Sequence, residues 1–385
     1  MILLIDAISR GSGGSKRHLT ELLKFFSKNP FHFDKIIIWA PSSLLNILPS
    51  HKKILKRTHF LLNYGWIGFL LWQLFLKNKS FNGEAHCIFS PFGNYTGKNH
   101  PYVTMSRNML MFEKKERKRN NSILTRLKYK FLYYTNKKSF ENADGMVFLS
   151  NYARNVISSK IKLRNIDDIV INHGISNSFI KKPKVQKNIN SYSEINPYKI
   201  LYVSHVFPYK HHLNVIYSII NLKKEGYNIS LTLVGSNQFN TIGKKIKSIL
   251  NDAEISKYIN WEEDISLDEV KKFYHNSDCF IFASSCENMP NSLIEAMSSG
   301  LPIICSNLGP MKEFLKDGGE YFNPLSEIDL TIKLKKIIND QKLRNKLAKK
   351  AHIYSSNYSW EKCAKQTFDF IKSISTKYSL NKLKI

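Results

Sequence analysis

The chain has 385 residues, a length that predicts two domains rather than one compact core. A composition of 43% hydrophobic and 23% charged residues is typical of a globular protein and excludes a disordered chain. Lys and Arg number 58 against 30 Asp and Glu, so the formal net charge is +28. That charge favours nucleic acid, an anionic membrane surface or phosphorylated substrates as partners, without choosing among them.

Cysteine usage and the apolar segments predict a cytoplasmic chain. The five cysteines stand mostly in apolar runs and show no CxxC or Cys/His ligand spacing, which indicates buried thiols and no structural metal. The N-terminal MILLIDAIS lacks the basic region and long apolar run of a signal peptide. The apolar stretch 61–76 is shorter than the about 20 residues of a bilayer span. We therefore expect it to form a buried helix of an α/β domain, with a membrane segment as the alternative.

In the N-terminal half, short apolar strands alternate with amphipathic helices. The predicted strands are MILLIDA, KIIIWA, HCIFS, YVTMS, GMVFLS and IVINHG. A glycine-rich turn, GSGGS at 11–15, separates the first strand from a helix in LTELLKFFSK. This alternation is typical of parallel βαβ units.

The same alternation restarts after a polar, lysine-rich segment. Residues 181–197 include two prolines, show no periodicity and predict an interdomain linker. The later strands are KILYVSHV, ISLTLVGS, YINWEE, CFIFASS and LPIICSN, and the tail SWEKCAKQTFDFIKSI is an amphipathic helix. Two doubly wound domains are therefore predicted, with ligands at the carboxyl ends of their strands.

The loop and helix after CFIFASS read ENMPNSLIEAMSSG. Glu287 lies in the loop and Glu295 about one turn into the helix. We expect the backbone N–H groups from Asn291 to Leu293 to be unpaired at the helix start, where they would bind a phosphate. Two carboxylates beside such a site suit the hydroxyl groups of a nucleotide sugar. An ordinary helix cap with two surface glutamates is the alternative interpretation.

Two further turns carry candidate anion-binding residues. Lys210 and His205 follow the first strand of the second half, where an ammonium and an imidazole can neutralise a diphosphate. The GSGGS turn lets backbone N–H groups approach an anion closely. It is not GxGxxG and no acidic residue follows at the dinucleotide position, which disfavours NAD.

These motifs together resemble the retaining GT-B-fold glycosyltransferases of family 4. The resemblance covers nearly the whole chain and is most specific in Glu287-x7-Glu295 followed by AMSSGLPIICSN. LTLVGS, DCFIFASS, GPMKEFLKDGGEYFNP and the SWEKCA tail match as well. The resemblance implies a GT-B fold, namely two Rossmann-like α/β domains facing across a cleft, with the last helix returning to the first domain.

The resemblance also implies roles for individual residues. Glu287 would contact the donor sugar at the reacting centre, Glu295 the ribose hydroxyls and Lys210 the diphosphate. The glycines of the turn, Gly13 and Gly14, would lie near the phosphate and acceptor. The remaining donor-binding positions would be His205 and the run Asn288, Met289, Pro290, Asn291, Ser292 and Leu293.

The chain departs from the family pattern at two places. The usual G-R-x4-K reads S-H-x4-K, so that His205 replaces an arginine and is a weaker phosphate clamp when neutral. Where the family often has a histidine after a middle strand, this chain offers Arg107 and Asn108. His173 matches a common position near the cleft, although a structural role fits it equally well.

The resulting hypothesis is a retaining, metal-independent hexosyltransferase without a cofactor. Its expected domains are 1–180 for the acceptor, with helix 361–385 packed on it, a linker at 181–197, and 198–360 for the donor. A basic, aromatic segment at 114–138 predicts peripheral attachment to the inner face of the plasma membrane and a lipid-linked saccharide acceptor in surface-polysaccharide synthesis. A solvated helix that covers the sheet is the alternative interpretation of this segment. Alternatives are a GT-B sugar-nucleotide epimerase or hydrolase and a non-catalytic nucleic-acid-binding protein. No nucleic-acid-binding signature supports the latter.

Overall fold

The computed structural model describes residues 1–8, 13–119, 123–163 and 166–383. Gly11 and Ser12 of the predicted glycine-rich turn lie outside the described residues. The described chain divides into two compact units. The first unit contains 1–112, 122–174 and 358–385, and the second contains 113–121 and 175–357.

The described strands overlap the predicted apolar runs except at 54–57 and 320–322, where no strand was predicted. They are β1 (Ile2–Asp6), β2 (Lys35–Trp39), β3 (Ile54–Arg57), β4 (Cys87–Ser90), β5 (Tyr102–Met105), β6 (Gly145–Phe148), β7 (Asp167–Val170), β8 (Tyr198–Val203), β9 (Ile229–Val234), β10 (Ile259–Glu262), β11 (Cys279–Phe282), β12 (Ile303–Ser306) and β13 (Glu320–Phe322). β1 to β7 belong to the first unit and β8 to β13 to the second.

The α-helices are α1 (Gly13–Lys28), α2 (Ser42–Leu45), α3 (Phe60–Asn63), α4 (Gly65–Leu71), α5 (Lys77–Phe81), α6 (Lys114–Lys118), α7 (Ile123–Glu141), α8 (Asn151–Ser158), α9 (His212–Lys224), α10 (Asn240–Leu250), α11 (Leu267–Asn276), α12 (Asn291–Ser298), α13 (Met311–Leu315), α14 (Glu327–Asn339), α15 (Gln341–Ser355) and α16 (Trp360–Leu383). A π-helical turn, Trp72–Leu76, joins α4 to α5. Short 3-10 turns occur at Met109–Met111, Asn177–Phe179, Ile189–Ser191, Pro208–Lys210 and Ile255–Lys257.

Both sheets are parallel and doubly wound. The described strands of the first unit have the order β3-β2-β1-β4-β5-β6-β7, and those of the second have β10-β9-β8-β11-β12-β13. In each sheet the direction of winding reverses beside the first strand, between β1 and β4 and between β8 and β11. Ligands of open α/β sheets bind at such reversals, outside the carboxyl ends of the strands.

Apolar residues from the strands and the facing sides of the helices form the cores. In the second unit the core contains Ile200, Leu231 and Ile281 from the strands and Ile216 and Ile337 from the helices. In the first unit, α16 packs its Phe368 against Phe26 of α1, with ring centroids 5.7 Å apart. The C-terminal helix therefore belongs to the first unit, together with β1 to β7.

The segment predicted as a linker, 181–197, belongs to the second unit. The Lys181 N–H donates to the Ser298 carbonyl (3.0 Å), and the Gln186 N–H donates to Asn345 Oδ1 (3.0 Å). The Arg344 guanidinium donates to the Lys187 carbonyl (2.5 Å). Polar side chains of α15 satisfy this aperiodic backbone, which is why the segment is ordered without periodicity.

Gly300 follows α12 with φ +69°, and there a Cβ would lie 2.6 Å from Pro183 N and 2.8 Å from the Lys181 carbonyl oxygen. Gly226 also has positive φ, +87°, but nothing lies within 4 Å of the position that a Cβ would take there. We expect Gly226→Ala to cost about 1 kcal/mol, the left-handed strain alone. Gly300→Ala adds a clash with fixed backbone and should cost roughly 3 kcal/mol. Urea denaturation of both variants measures the difference, and equal midpoints would contradict this packing.

Candidate active site

The candidate site lies in the second unit, where the winding of its sheet reverses. β8 and β11 pair directly, with Cys279 opposite Ile200, although they lie about 80 residues apart in the chain. The loop after β8 carries His205 and Lys210, and the loop after β11 carries Glu287. Strand pairing therefore brings the two predicted motifs together.

Lys210 and Glu287 form an ion pair between these loops. The Lys210 ammonium contacts Glu287 Oε1, and the two side chains are only 14% and 15% exposed. The ammonium also lies 5.5 Å from the Tyr209 ring centroid and 5.7 Å from that of Phe282. Low exposure strengthens the attraction between the charges, and the aromatic faces favour a cation at this position.

Ser285 connects the two loops beside the ion pair. Its backbone N–H donates to the Tyr209 carbonyl (2.9 Å). Its hydroxyl donates to Glu116 Oε2 (2.7 Å) and lies 2.9 Å from His211 Nε2, which supplies an N–H. Glu116 belongs to α6, which the contacts assign to the second unit, and it also accepts from Arg119 Nε (2.7 Å). These contacts hold the backbone around Lys210 and Glu287 in one conformation.

His205 lies at the rim of the site and is held by Ser236. Its Nδ1 is 2.8 Å from the Ser236 hydroxyl, which also accepts from Gln238 Nε2 (2.9 Å). Partial desolvation, followed by the charge of Lys210, lowers the pKa of His205. The imidazole is therefore neutral at pH 7 without ligand, and Lys210 carries the positive charge at this end of the sheet.

The start of α12 differs from the expectation of unpaired N–H groups. The Asn291 N–H donates to the Met289 carbonyl (3.1 Å), and the Leu293 N–H donates to the Pro290 carbonyl (3.0 Å). For these two groups the prediction was wrong, because the loop closes into a tight turn around Pro290. The Ser292 carbonyl accepts from the Tyr274 hydroxyl (3.1 Å).

Glu295 lies inside the unit rather than at its surface. It is 5% exposed, and its Oε2 accepts from the Tyr274 hydroxyl (3.1 Å). Asn288 and Met289 are also buried, at 5% and 6%. The surface-glutamate alternative therefore does not describe Glu295, since a buried carboxylate must be hydrogen-bonded.

The candidate residues of the first unit lie at the start of α1, after β5 and after β7. Gly13 starts α1, and the Gly14 carbonyl accepts from Arg107 Nη2 (3.0 Å). Arg107 Nη1 donates to His18 Nδ1 (3.0 Å), so the remaining imidazole proton is on His18 Nε2. Burial, then the Arg107 charge, lowers the pKa of His18 well below its ordinary value, and burial lowers the pKa of Arg107 to about 10. Arg107 therefore fixes the first turn of α1.

Asn108 and His173 have structural contacts in the first unit. The Asn108 side chain accepts from the Leu110 N–H (3.0 Å) and caps a 3-10 turn. The His173 ring stacks between His18, at 4.7 Å, and Trp360 of α16, at 5.4 Å. His173 is 2% exposed.

Sequence reasoning missed the residues that support the site. Ser285, His211, Glu116 and Tyr274 contact site residues or each other, yet none belongs to a motif with a recognised spacing. Glu116 and Ser285 are separated by 169 residues, so no local signal could have paired them. His18 does follow the glycine-rich turn in GGSKRH, and this proximity could have identified it.

Comparison with known proteins finds similarity to glycosyltransferases. Residues 185–353 match the family model described as glycosyl transferases group 1. The chain is 32% identical over 207 residues to the capsular polysaccharide biosynthesis glycosyltransferase CapH of Staphylococcus aureus, covering 51% of this chain and 53% of that protein. The chain spans about half the length of most of the first curated relatives that it matches.

Solved structures show the same fold at low sequence identity. A sucrose-phosphate synthase from Thermosynechococcus elongatus superposes with TM-score 0.74 at 14% identity, over 98% of this chain and 99% of that one. Anabaena HepE in complex with UDP-glucose superposes with TM-score 0.69 at 14% identity over both whole chains. The predicted GT-B fold is confirmed, and residues 185–353 are similar to the glycosyl transferases group 1.

His211 provides a pH-dependent test of the loop connection. Burial, followed by the Arg119 charge, lowers the pKa of His211 to about 4. Between pH 6.5 and 4 the unfolded chain binds a proton that the folded chain does not, so stability falls as pH falls through this window. Removing the imidazole with His211→Asn should weaken this pH dependence by at most about 3 kcal/mol, as measured by unfolding at pH 7 and 4.5.

Asparagine is the appropriate replacement because residue 211 has φ +51° and asparagine tolerates the left-handed conformation. Ser285→Ala is the matched control, since it removes the hydrogen bond but retains the titrating imidazole. The steep loss of stability at low pH should persist in Ser285→Ala. A slope in His211→Asn equal to that of the unaltered protein would contradict the assignment.

Proposed function

We propose that this protein is a glycosyltransferase that moves a hexose from a nucleoside-diphosphate sugar to a saccharide acceptor. The Lys210–Glu287 ion pair carries the proposal, because it joins the two predicted motifs at the winding reversal of the second sheet. The family match over 185–353 covers both residues. A lone surface lysine or glutamate would support no such function.

The donor would bind with its diphosphate at Lys210. The ammonium already lies in a poorly exposed site, where its attraction for an anion exceeds that in bulk water. Glu287 neutralises Lys210 in the free protein and would exchange this contact for hydroxyl groups of the sugar. Bound phosphate would also favour protonation of His205 beside Lys210. The structure of HepE with UDP-glucose supports a donor of this chemical class.

We propose transfer with retention of anomeric configuration and without a required metal. The bond between the anomeric carbon and the diphosphate oxygen breaks as the acceptor hydroxyl forms its bond on the same face. The acceptor proton passes to the departing phosphate oxygen, and Lys210 stabilises the charge that develops there. Because each bond and the transferred proton are accounted for, this transfer needs no additional oxidant, reductant or cofactor.

The acceptor in this proposal is a lipid-linked saccharide. CapH acts in capsular polysaccharide biosynthesis, and such a role fits a hexosyltransferase with a strongly basic surface. α7 supplies exposed positive charge through Lys128, Lys130 and Lys138. Its apolar residues Ile123 and Leu127 are 73% and 58% exposed. We propose that α7 attaches the protein to the anionic inner face of the plasma membrane.

The predicted basic segment 114–138 is divided between the two units. α6 belongs to the second unit, where Glu116 accepts from Ser285, and α7 belongs to the first. In the described residues no helix is both long and apolar enough to cross a membrane. The attachment that we propose is therefore through α7 and is peripheral.

Glu287→Gln should reduce turnover at least about 100-fold, since it removes the carboxylate that would contact the sugar while nearly preserving its shape. The donor is first selected by screening UDP-, GDP- and dTDP-sugars for thermal stabilisation of the whole chain. NMR of the product then gives the anomeric configuration. Turnover is compared with that of the unaltered protein on the same donor and a lipid-linked acceptor.

Glu225→Gln is the matched control, because it removes an exposed ion pair with Lys335 elsewhere in the second unit. It should leave turnover within about twofold, as expected for an exposed pair. Loss of activity in Glu225→Gln, or retention in Glu287→Gln, would overturn the assignment. Release of free sugar, or isomerisation of the donor without an acceptor, would identify a hydrolase or an epimerase instead.

Charge reversal on α7 tests the membrane attachment. Lys128→Glu with Lys130→Glu should reduce flotation with anionic vesicles about tenfold or more, since each basic residue contributes about 1 kcal/mol near such a surface. The control pair Lys346→Glu with Lys349→Glu makes the same charge change on exposed positions of α15. Flotation that survives high salt unchanged, or equal losses in the two pairs, would count against α7.

A further inference from the structure

The helical segment from α3 to the π-helical turn has an exposed apolar face. Residues on this face are 40 to 72% exposed although all are large and apolar or aromatic: Phe60, Tyr64, Ile67, Leu71, Leu74 and Phe75. Their spacing of three, four or one residues follows the helical repeat. We call these six residues the outer apolar face. Such a contiguous face exceeds the scattered apolar residues of ordinary protein surfaces.

The same segment buries a second apolar face against the first sheet. Leu62 and Trp72 are 2% and 1% exposed and belong to the core with Trp39 and Phe81. The sequence predicted a buried helix here, and that prediction is wrong for half of the helix surface. A helix that is apolar all round is ordinarily buried on all sides. Here one side remains uncovered in the described chain.

Polar contacts with β1 and a neighbouring loop fix the position of the segment that carries the outer apolar face. Lys77 Nζ lies 2.7 Å from Asp6 Oδ2 at the end of β1, and both side chains are almost fully buried. Lys77 also donates to Gln73 Oε1 (3.0 Å), which accepts from the Thr96 hydroxyl (3.1 Å). In the π-helical turn, the adjacent Leu74 and Phe75 are both exposed. The exposed residues therefore stand on an anchored segment rather than on a loose loop.

The charge around this face has one sign. Between Lys35 and Gly83 the sequence contains no acidic residue. Lys79 of α5, just beyond the segment, is exposed, and so is Lys98, whose backbone N–H donates to Asn78 Oδ1 of α5 (2.9 Å). A second copy of this chain would bring like charges together here, because each copy has a net charge of +28. An anionic surface complements the lysines instead.

The outer apolar face lies on the same side of the first sheet as α7. The crossovers from β3 to β4 and from β5 to β6 run in the same direction across the sheet. Right-handed crossovers in one direction place their helices on one face. Leu62 and Trp72 share a core cluster with Ala143, which follows α7, as this topology requires.

α7 repeats the same combination of apolar and basic residues. Ile123, Leu127, Phe131 and Tyr134 are 54 to 73% exposed and recur at helical spacing. From Ile123 to Phe140 the sequence contains no acidic residue and five basic ones. One face of the first unit therefore presents two amphipathic segments with apolar residues outward and lysines beside them.

We propose that the outer apolar face inserts into the interfacial region of an anionic lipid bilayer, beside α7. The segment that carries this face is too short to cross the bilayer. The apolar residues of the face would reach about 5–10 Å into the boundary between headgroups and acyl chains. Lysines at its ends would meet anionic headgroups. This inference rests on the membrane attachment proposed above and assigns to it a second, apolar element. It is independent of the sugar chemistry.

A fluorophore at residue 74 tests the insertion. All five cysteines are buried, so Leu74→Cys in the full chain provides a unique accessible thiol for an environment-sensitive nitrobenzoxadiazole label. Phosphatidylglycerol-containing vesicles should shift its emission to the blue, and lipids brominated at shallow acyl positions should quench it. Phosphatidylcholine vesicles should give little change. The same label at Ile353→Cys, 65% exposed in the second unit, should give no shift.

The unlabelled pair Leu74→Ser with Phe75→Ser should reduce the vesicle partition coefficient about tenfold or more, as loss of two buried apolar side chains requires. Ile332→Ser with Ile353→Ser is the matched control. Donor-induced thermal stabilisation should be unchanged in both pairs, which separates this test from failure of the proposed transferase activity.

Three results would overturn the inference. Vesicle binding that depends on Lys128 and Lys130 but not on Leu74 and Phe75 would leave α7 as the membrane element alone. Absence of any vesicle binding would remove the attachment together with this inference. A dimer of the unaltered protein that becomes monomeric in the Leu74, Phe75 variant, with no change in vesicle binding, would identify the face as a protein interface.

Discussion

The direct pairing of β8 with β11 is the constraint on which the candidate site depends. Pairing of these parallel strands brings two loops to one edge of the sheet, although their motifs are 77 residues apart. Once adjacent, Lys210 and Glu287 neutralise each other in a poorly exposed position where either charge alone would be unfavourable. The ion pair therefore stabilises the loops in the absence of ligand. It also holds in place the two charged groups that a nucleoside-diphosphate sugar would contact.

Desolvation determines which groups around these sites carry charge. It is the largest influence on the pKa values of His18, His205, His211 and His212, and it lowers all four. The histidines therefore act as neutral hydrogen-bonding rings, while Lys210 in the second unit and Arg107 in the first retain the positive charges. This distribution explains how a chain with an excess of basic residues avoids crowding cations inside its cores.

The first unit exposes large apolar side chains at its surface. Segment 60–75 uses one helix side to cover the sheet and leaves large apolar residues on the other. In α7 the last turns are buried, at Ser139 and Phe140, and large apolar residues between 123 and 134 are exposed. Such surfaces are unfavourable in water unless a partner covers them. Their lysine-rich neighbourhood makes an anionic interface the complementary partner, as the proposed membrane attachment requires.

The sequence by itself determined the α/β class, all the described strands except β3 and β13, and the second-unit motif. Apolar runs such as KIIIW and CFIF and their intervening helices are local patterns, and the stretch from Glu287 to Glu295 lies within the region that matches the glycosyl transferases group 1 model. Tertiary structure decided which residues meet: Glu116 with Ser285, Arg107 with His18, and the linker segment with α15. It also decided that Asn291 and Leu293 close a turn and that one side of 60–75 is exposed. The periodicity of the sequence shows that a helix carries apolar residues. Only the packed chain shows how much of this apolar helix surface the neighbouring strands and helices cover.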